Sequence, residues 1–263
     1  MLLSLLWVGD VTAANGDKME TILSLIRDNY LDKTIGKEIF PCVMGMLREN
    51  DPILIVCDFF LRKSTKTLDA ICVLCETGFA EDALVLVRTI FELALHLQSI
   101  SSESSPEKQQ HRAECFIYNG DRRRVQQLKK LDDLKKQEKC SFWINGIEAS
   151  NPVFETIARP QDFVQPKNLE QMATELGGDW ECWYHFLYFT LSQLAHPSGL
   201  GSHTYLQECN QKDELTRAFS VAWTMHFFLT NSILNLLRLE ELRTQLETSF
   251  KEAFEVFKRI KPI

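Results

Sequence analysis

Along this chain apolar positions return every three or four residues and rarely alternate. A period near 3.6 marks helices that bury one face. The segment Gly78–Gln98, GFAEDALVLVRTIFELALHLQ, goes further. From Ala83 to Leu97 it is apolar on nearly every side, interrupted by Arg88, Thr89, Glu92 and His96. A helix apolar all round belongs at the centre of a bundle. Upstream, Asp51-Pro52 is a helix-start signal, with Asp51 as cap and Pro52 in the first turn, and Gly78 is a stop. The pattern predicts one helix to about Thr77 and another from Ala80 to Gln98, folded back as a long antiparallel hairpin.

The remaining punctuation predicts further helices over Lys18–Tyr30, Ile35–Leu47 around Pro41, and Glu107–Cys140 with a break at Asn119-Gly120. Ser141–Lys167, with Pro152, Pro160 and Pro166, reads as irregular. Then come Leu169–Leu176, ended by Gly177-Gly178, a helix capped by Asp179 and running to Ala195, Lys212–Leu239, and a last amphipathic helix to Arg259. The expected fold is all-α, a helical bundle built on the hairpin. Residues 1–18 read as a weakly ordered leader and 19–263 as a single α-helical domain. The opening MLLSLLWVGDVTAANG lacks a basic start, and Asp10 interrupts its apolar run, so a secretion signal is not expected. Met19 is an alternative start.

Composition supports this picture. The chain has 263 residues, 45% hydrophobic, with 11 Gly and 8 Pro, enough for one large core or two small ones and with few tight turns. Ala218–Leu237 has no formal charge and would be long enough to cross a membrane. Its Ser220, Thr224, His226, Thr230, Asn231, Ser232 and Asn235 suit a buried bundle helix better, so no membrane partner is expected. The 8 Cys lie mostly within apolar helical patterns and read as reduced thiols of a cytoplasmic protein. A net charge of −7 argues against coating of nucleic acid by the molecule as a whole. Against that balance, Arg122–Lys139 holds eight basic and three acidic residues. Arg122, Arg123, Arg124, Lys129 and Lys130 are candidates for contacting RNA, although a solvated helix face gives the same pattern.

Candidate chemistry comes from two stripes. Arg88, Glu92 and His96 are four apart. Each step of four advances about 400°, so they form a slowly drifting line on the central helix. Trp180, Tyr184, Tyr188, Ser192 and His196 repeat the spacing downstream. Charge in a core must be paired or used. The economical packing sets the Tyr188–Ser192–His196 end against Arg88, Glu92 and His96, an ion pair completed by hydroxyl and imidazole. One reading is a structural network that fixes helix register. The other is a pocket in which Arg88 holds an anion while a histidine moves a proton, as in metal-independent RNA cleavage. His196, before Pro197, also reads as a helix-end histidine favoured by the dipole.

Cys72-x-x-Cys75 with Cys182-x-x-His185 has the outline of a four-ligand zinc set, but both pairs fall on predicted helices, and buried cysteines are the plainer reading. No metal or cofactor is expected. P-loop, dinucleotide, G-x-S-x-G and H-E-x-x-H motifs are absent.

The run GFAEDALVLVRTIFE, followed by YFTLSQLAHPS, resembles the bacterial domain-of-unknown-function (DUF) family 5677, with its R-x-x-x-E helix and later Y-x-x-x-S-x-x-x-H. The resemblance spans roughly Asp51–Leu239. It implies a helical bundle and singles out Arg88, Glu92, Tyr188, Ser192 and His196. More distantly the chain is similar to HEPN-type helical proteins, many of them metal-independent ribonucleases of toxin or phage-defence systems. That likeness implies an HEPN-like, nucleic-acid-directed protein. This chain departs from their motif of a closely spaced Arg and His on one helix. Seven residues separate Arg88 from His96, and eight separate Arg217 from His226.

The last helix carries Leu239, Leu242, Leu246, Phe250, Phe254 and Phe257 along one face. This is more apolar surface than a terminal helix needs. A homodimer through this helix or the central pair is expected, with docking on its own bundle as the other use. The periodicity also predicts a far-UV circular-dichroism spectrum dominated by helix, and a strand-dominated spectrum would refute the fold class.

Overall fold

In the computed structural model, which describes residues 23–46, 51–136, 167–195 and 211–260, the Asp51 carboxylate caps a helix. It accepts from the backbone N–H groups of Ile53 and Leu54 at 3.0 and 3.2 Å. Helix α2 runs from there over Pro52–Thr77 and stops at Gly78, whose φ of 86° is the left-handed value that favours glycine. The Phe79 N–H then donates back to the Leu74 carbonyl at 2.9 Å. Helix α3 returns over Ala80–Ser101, so the hairpin forms as expected. It continues past Gln98 because Ile100 is apolar and buried, which gives one more turn something to pack.

Eight helices account for the described chain, with no strand among the described residues. They belong to two compact units: Met1–Glu103 together with Lys167–Ile263, and Ser104–Pro166. The described helix of the second unit, α4 (Pro106–Lys136), is continuous through Asn119-Gly120. A lone glycine there costs about 1 kcal/mol of helix propensity and does not break the helix. The irregular stretch expected before Lys167, and the leader, lie outside the described residues.

In the first unit α3 packs against α2, α5 (Leu169–Leu176), the end of α6 (residues 178–195) and α7 (Gln211–Leu236). Helix α8 (Glu240–Ile260) closes on α7 and on α1 (residues 23–46). One segment, Glu81–Ser101, is long and apolar enough to cross a membrane, with a mean hydropathy of 1.5, and it is the helix that all these neighbours surround. The apolar face of α8 is docked inside the chain. Leu246, Phe250 and Phe257 are buried, and the Phe250 ring stacks on Phe227 at 4.0 Å. Those three positions of the α8 face are thus used within the bundle.

Three further boundaries differ from expectation. Helix α1 is one element where two were expected. Its buried residues Leu31, Ile35, Ile39 and Val43 recur every fourth position, and a spacing of four drifts about 40° per step in an α-helix. Ile26–Ile39 is wound as a π-helix, with Phe40 N–H bonding Ile35 O, and the looser turn offsets that drift. Pro41 falls just where the bonding tightens again, so its missing N–H costs little. Helix α6 begins at Gly178 with Gly177 as cap, and Asp179 sits in the first turn without capping. Both glycines take left-handed φ, 62° and 55°, leaving Asp179 to meet the dipole. Helix α7 ends at Leu236 because Arg238 adopts a φ of 57°, a left-handed stop with no glycine to announce it.

His226 on α7 ties three helices together. It is fully buried, with Tyr30 Oη of α1 at 3.0 Å from Nδ1 and Thr65 Oγ1 of α2 at 3.2 Å from Nε2. Burial holds its pKa down, to about 3. Neutral His226 thus contributes its full stability above pH 6.5. As pH falls from 6.5 toward 3 the unfolded chain takes up a proton that the folded chain refuses, and that stability is progressively lost. By pH 5 the loss is about 2 kcal/mol. Urea unfolding over this window checks it: His226→Gln should show a shallower loss with acid than wild type.

Candidate functional site

Arg88 lies mid-way along α3, where the helix is sheathed by neighbours, and its guanidinium reaches the edge of the core. Its Nε donates to Glu92 Oε1 at 2.9 Å, one turn on. One Nη donates to Tyr188 Oη on α6, also at 2.9 Å. The guanidinium carbon stands 4.9 Å from the Tyr188 ring centroid, close enough for a cation–π contact. Burial pushes the Arg88 pKa down, but the Glu92 hydrogen bond and charge, with Tyr188, reverse this, and it ends above its ordinary value. The group stays a cation.

Arg88 faces Tyr188 as expected, while the depth is not as expected. The Arg88 and Glu92 side chains are 24% and 34% exposed, at the rim of the core rather than inside it. His96 is half-buried one turn beyond Glu92. Two steps of four carry it about 80° round the helix from Arg88. Ser192 Oγ is buried with no hydrogen-bond partner among the described residues. His196 lies outside the described residues. Arg88 thus bonds both Glu92 and Tyr188.

Tyr184, one position of the downstream stripe, braces the centre. Residues 184–188 are a π-turn, Phe189 N–H bonding Tyr184 O, and this brings the Tyr184 and Tyr188 rings into a parallel stack 5.2 Å apart. Burial raises the Tyr184 pKa, helped by the charge of Glu170 and by Tyr188. Phe91 packs on Tyr188 at 5.9 Å and on Trp180 at 6.2 Å. Phe228 meets Trp183 at 5.6 Å. Helix α6 is thereby pinned along its inner side, Trp183, Leu187 and Leu191 being buried.

The other candidates belong to other helices or other faces. Arg123 and Lys130 are exposed on α4, and Arg122, Arg124 and Lys129 share that helix, their side chains outside the described set. Cys72 and Cys75 are buried on α2 while Cys182 is exposed on α6. Among the described residues no three His, Cys, Asp or Glu converge as metal ligands, so the zinc outline does not assemble. Burial pushes the Cys57, Cys72 and Cys75 thiols up to about 12, where they stay protonated and unreactive. A groove of about 550 Å³ runs between α1 and α8, lined by Asn29, Lys33, Glu38, Ser249 and Glu252 among others. Neither helix carries a candidate residue.

The model of a family of unknown function, DUF5677, matches residues 54–214, more than half of the chain and both stripes. No curated protein and no solved structure gives a match.

The half-exposed geometry sets the size of substitution effects. In Arg88→Ala the stranded Glu92 can turn to water, so the cost should be about 1–2 kcal/mol, below the 3–5 kcal/mol typical when one partner of a buried pair is removed. Tyr188→Phe keeps the ring and loses one hydrogen bond, about 1 kcal/mol. Thermal unfolding of the two variants against wild type measures both.

Proposed function

The chain belongs to the family of unknown function DUF5677, and from that footing we propose that it is a non-catalytic interaction module, a helical bundle whose polar stripe holds α6 in register so that its outer face can meet a partner. The observation that carries this reading is the internal pairing of Arg88. Its charge is met by Glu92, and a further hydrogen bond and a ring face come from Tyr188, all within one fold. A catalytic anion-binding arginine needs a place for the substrate's negative charge, and here a carboxylate of the same helix already occupies it.

A second reading, an HEPN-like metal-independent ribonuclease, draws on two features. Arg88 directs two of its five N–H groups at described partners and remains partly exposed. His96 sits one turn beyond Glu92 on the same helix. RNA would then be the partner, Arg88 would steady the phosphorane and a histidine would accept the ribose proton.

Incubation of wild type and Arg88→Ala with mixed-sequence RNA in the presence of a chelator separates the two. The module reading expects no cleavage above background from either protein. Cleavage by wild type that is lost in Arg88→Ala, with helix content unchanged, would establish the enzyme instead.

A further inference from the structure

Helix α6 has two unlike sides. Its inner side is anchored through Trp183, Leu187 and Tyr188. Its outer side shows Cys182, His185, Phe186, Phe189 and Thr190 to solvent. Phe186 is 68% exposed and Phe189 62%, more than any other large apolar side chain among the described residues. They are three apart on the helix and so share a face. From Cys182 to Ala195 the sequence has no Asp, Glu, Lys or Arg. Two neighbouring exposed aromatics on a helix stretch without charged side chains are a surface suited to contact.

Resting on the interaction-module reading, we propose that the partner is a second copy of this chain, docked through the Phe186–Phe189 face of α6 about a two-fold axis. Charge decides the occupant. A partner surface bearing charges would give up their hydration against the two Phe rings and find no countercharge along this stretch. An uncharged apolar surface pays no such cost, and an identical face is uncharged by construction. About a two-fold axis, any contact that Phe186 of one copy makes with Phe189 of the other is made twice. Aromatic pairs of this kind favour offset or edge-on contact.

The area fixes the strength. A buried Phe removes on the order of 150–250 Å² from water, so two rings at these exposures offer about 250 Å² per copy. A standard stable interface buries about 800 Å² per partner. The two rings are thus the apolar centre of a small interface, and the dimer is weak and reversible. This places the contact on α6, where the sequence pointed to α8 or the central pair.

Sedimentation velocity of the full chain, from low micromolar to near-millimolar concentration, tests the proposal. The wild type should rise in average mass with concentration toward twice the chain. Phe186→Ser with Phe189→Ser, both exposed and so tolerated by the fold, should stay at the monomer mass with unchanged helix content. A wild type that remains monomeric throughout overturns the proposal, as does a double variant that associates like wild type. A monomeric wild type that binds a different protein through this face overturns self-pairing and leaves the module reading standing. RNA cleavage dependent on Arg88 would remove the module reading without touching the sedimentation result.

Discussion

The desolvation of α3 governs this structure. A helix apolar on nearly all sides is stable in water only when sheathed, and here α2, α5, α6 and α7 supply the sheath. That demand fixes which helices are neighbours before any polar contact is counted. It also makes each polar group left within the sheath expensive, at about 1–3 kcal/mol if unpaired. The polar pairs follow from this. Ser232 of α7 donates to Gln98 of α3 at 2.9 Å, His226 takes partners from α1 and α2, and Arg88 finds Glu92 and Tyr188. These contacts add direction to a burial that is otherwise non-directional, and so they choose one register among several that the apolar faces alone would allow.

Winding adjusts to the same demand. Residues spaced by four move off an α-helical face by about 40° at each step. In α1 the buried set Leu31, Ile35 and Ile39 would wander away from its contacts, and in α6 Tyr184 and Tyr188 would part. In both places the backbone loosens into π-winding and keeps them aligned. Helix α3, wound normally, keeps Arg88 and Glu92 close but carries His96 on round the axis. One spacing rule thus gives a stacked tyrosine pair on α6 and a drifting polar line on α3.

This contrast explains what could be read from residues alone. The α2–α3 hairpin was legible because Asp51, Pro52 and Gly78 each have a local physical role at a helix end. The pairing of Arg88 with Tyr188 was legible because an arginine amid apolar neighbours must find acceptors, and few facing side chains offered them. The end of α7 was not, since Arg238 takes a left-handed φ that its own chemistry does not favour and that only packing imposes. The π-turns were hidden because a spacing of four is read as α by default. His226 was visible as a histidine in an uncharged helix, but its partners Tyr30 and Thr65 lie 196 and 161 residues away. Burial depth escaped for a related reason. A stripe on a core helix is assigned to the core, and whether its rim meets water depends on how far neighbouring helices reach around it.

The partial exposure of Arg88 bears on its role. An exposed i,i+4 ion pair contributes about 0.3–0.5 kcal/mol, so Glu92 alone holds Arg88 weakly. Tyr188 holds it more firmly, through a hydrogen bond and a ring face together. The strong tie therefore runs between helices and the weak one along a helix. A site selected to bind anions would need the weak tie to yield, so that an incoming anion could replace the Glu92 carboxylate while Tyr188 kept the guanidinium in place. A site selected for architecture would need only the strong tie. The aromatic support behind Tyr188, from Tyr184 and Phe91, reinforces the interhelical tie, while no such support is built around Glu92 among the described ring contacts. The protein's structural investment thus lies in the position of α6, and α6 in turn carries the two exposed phenylalanines.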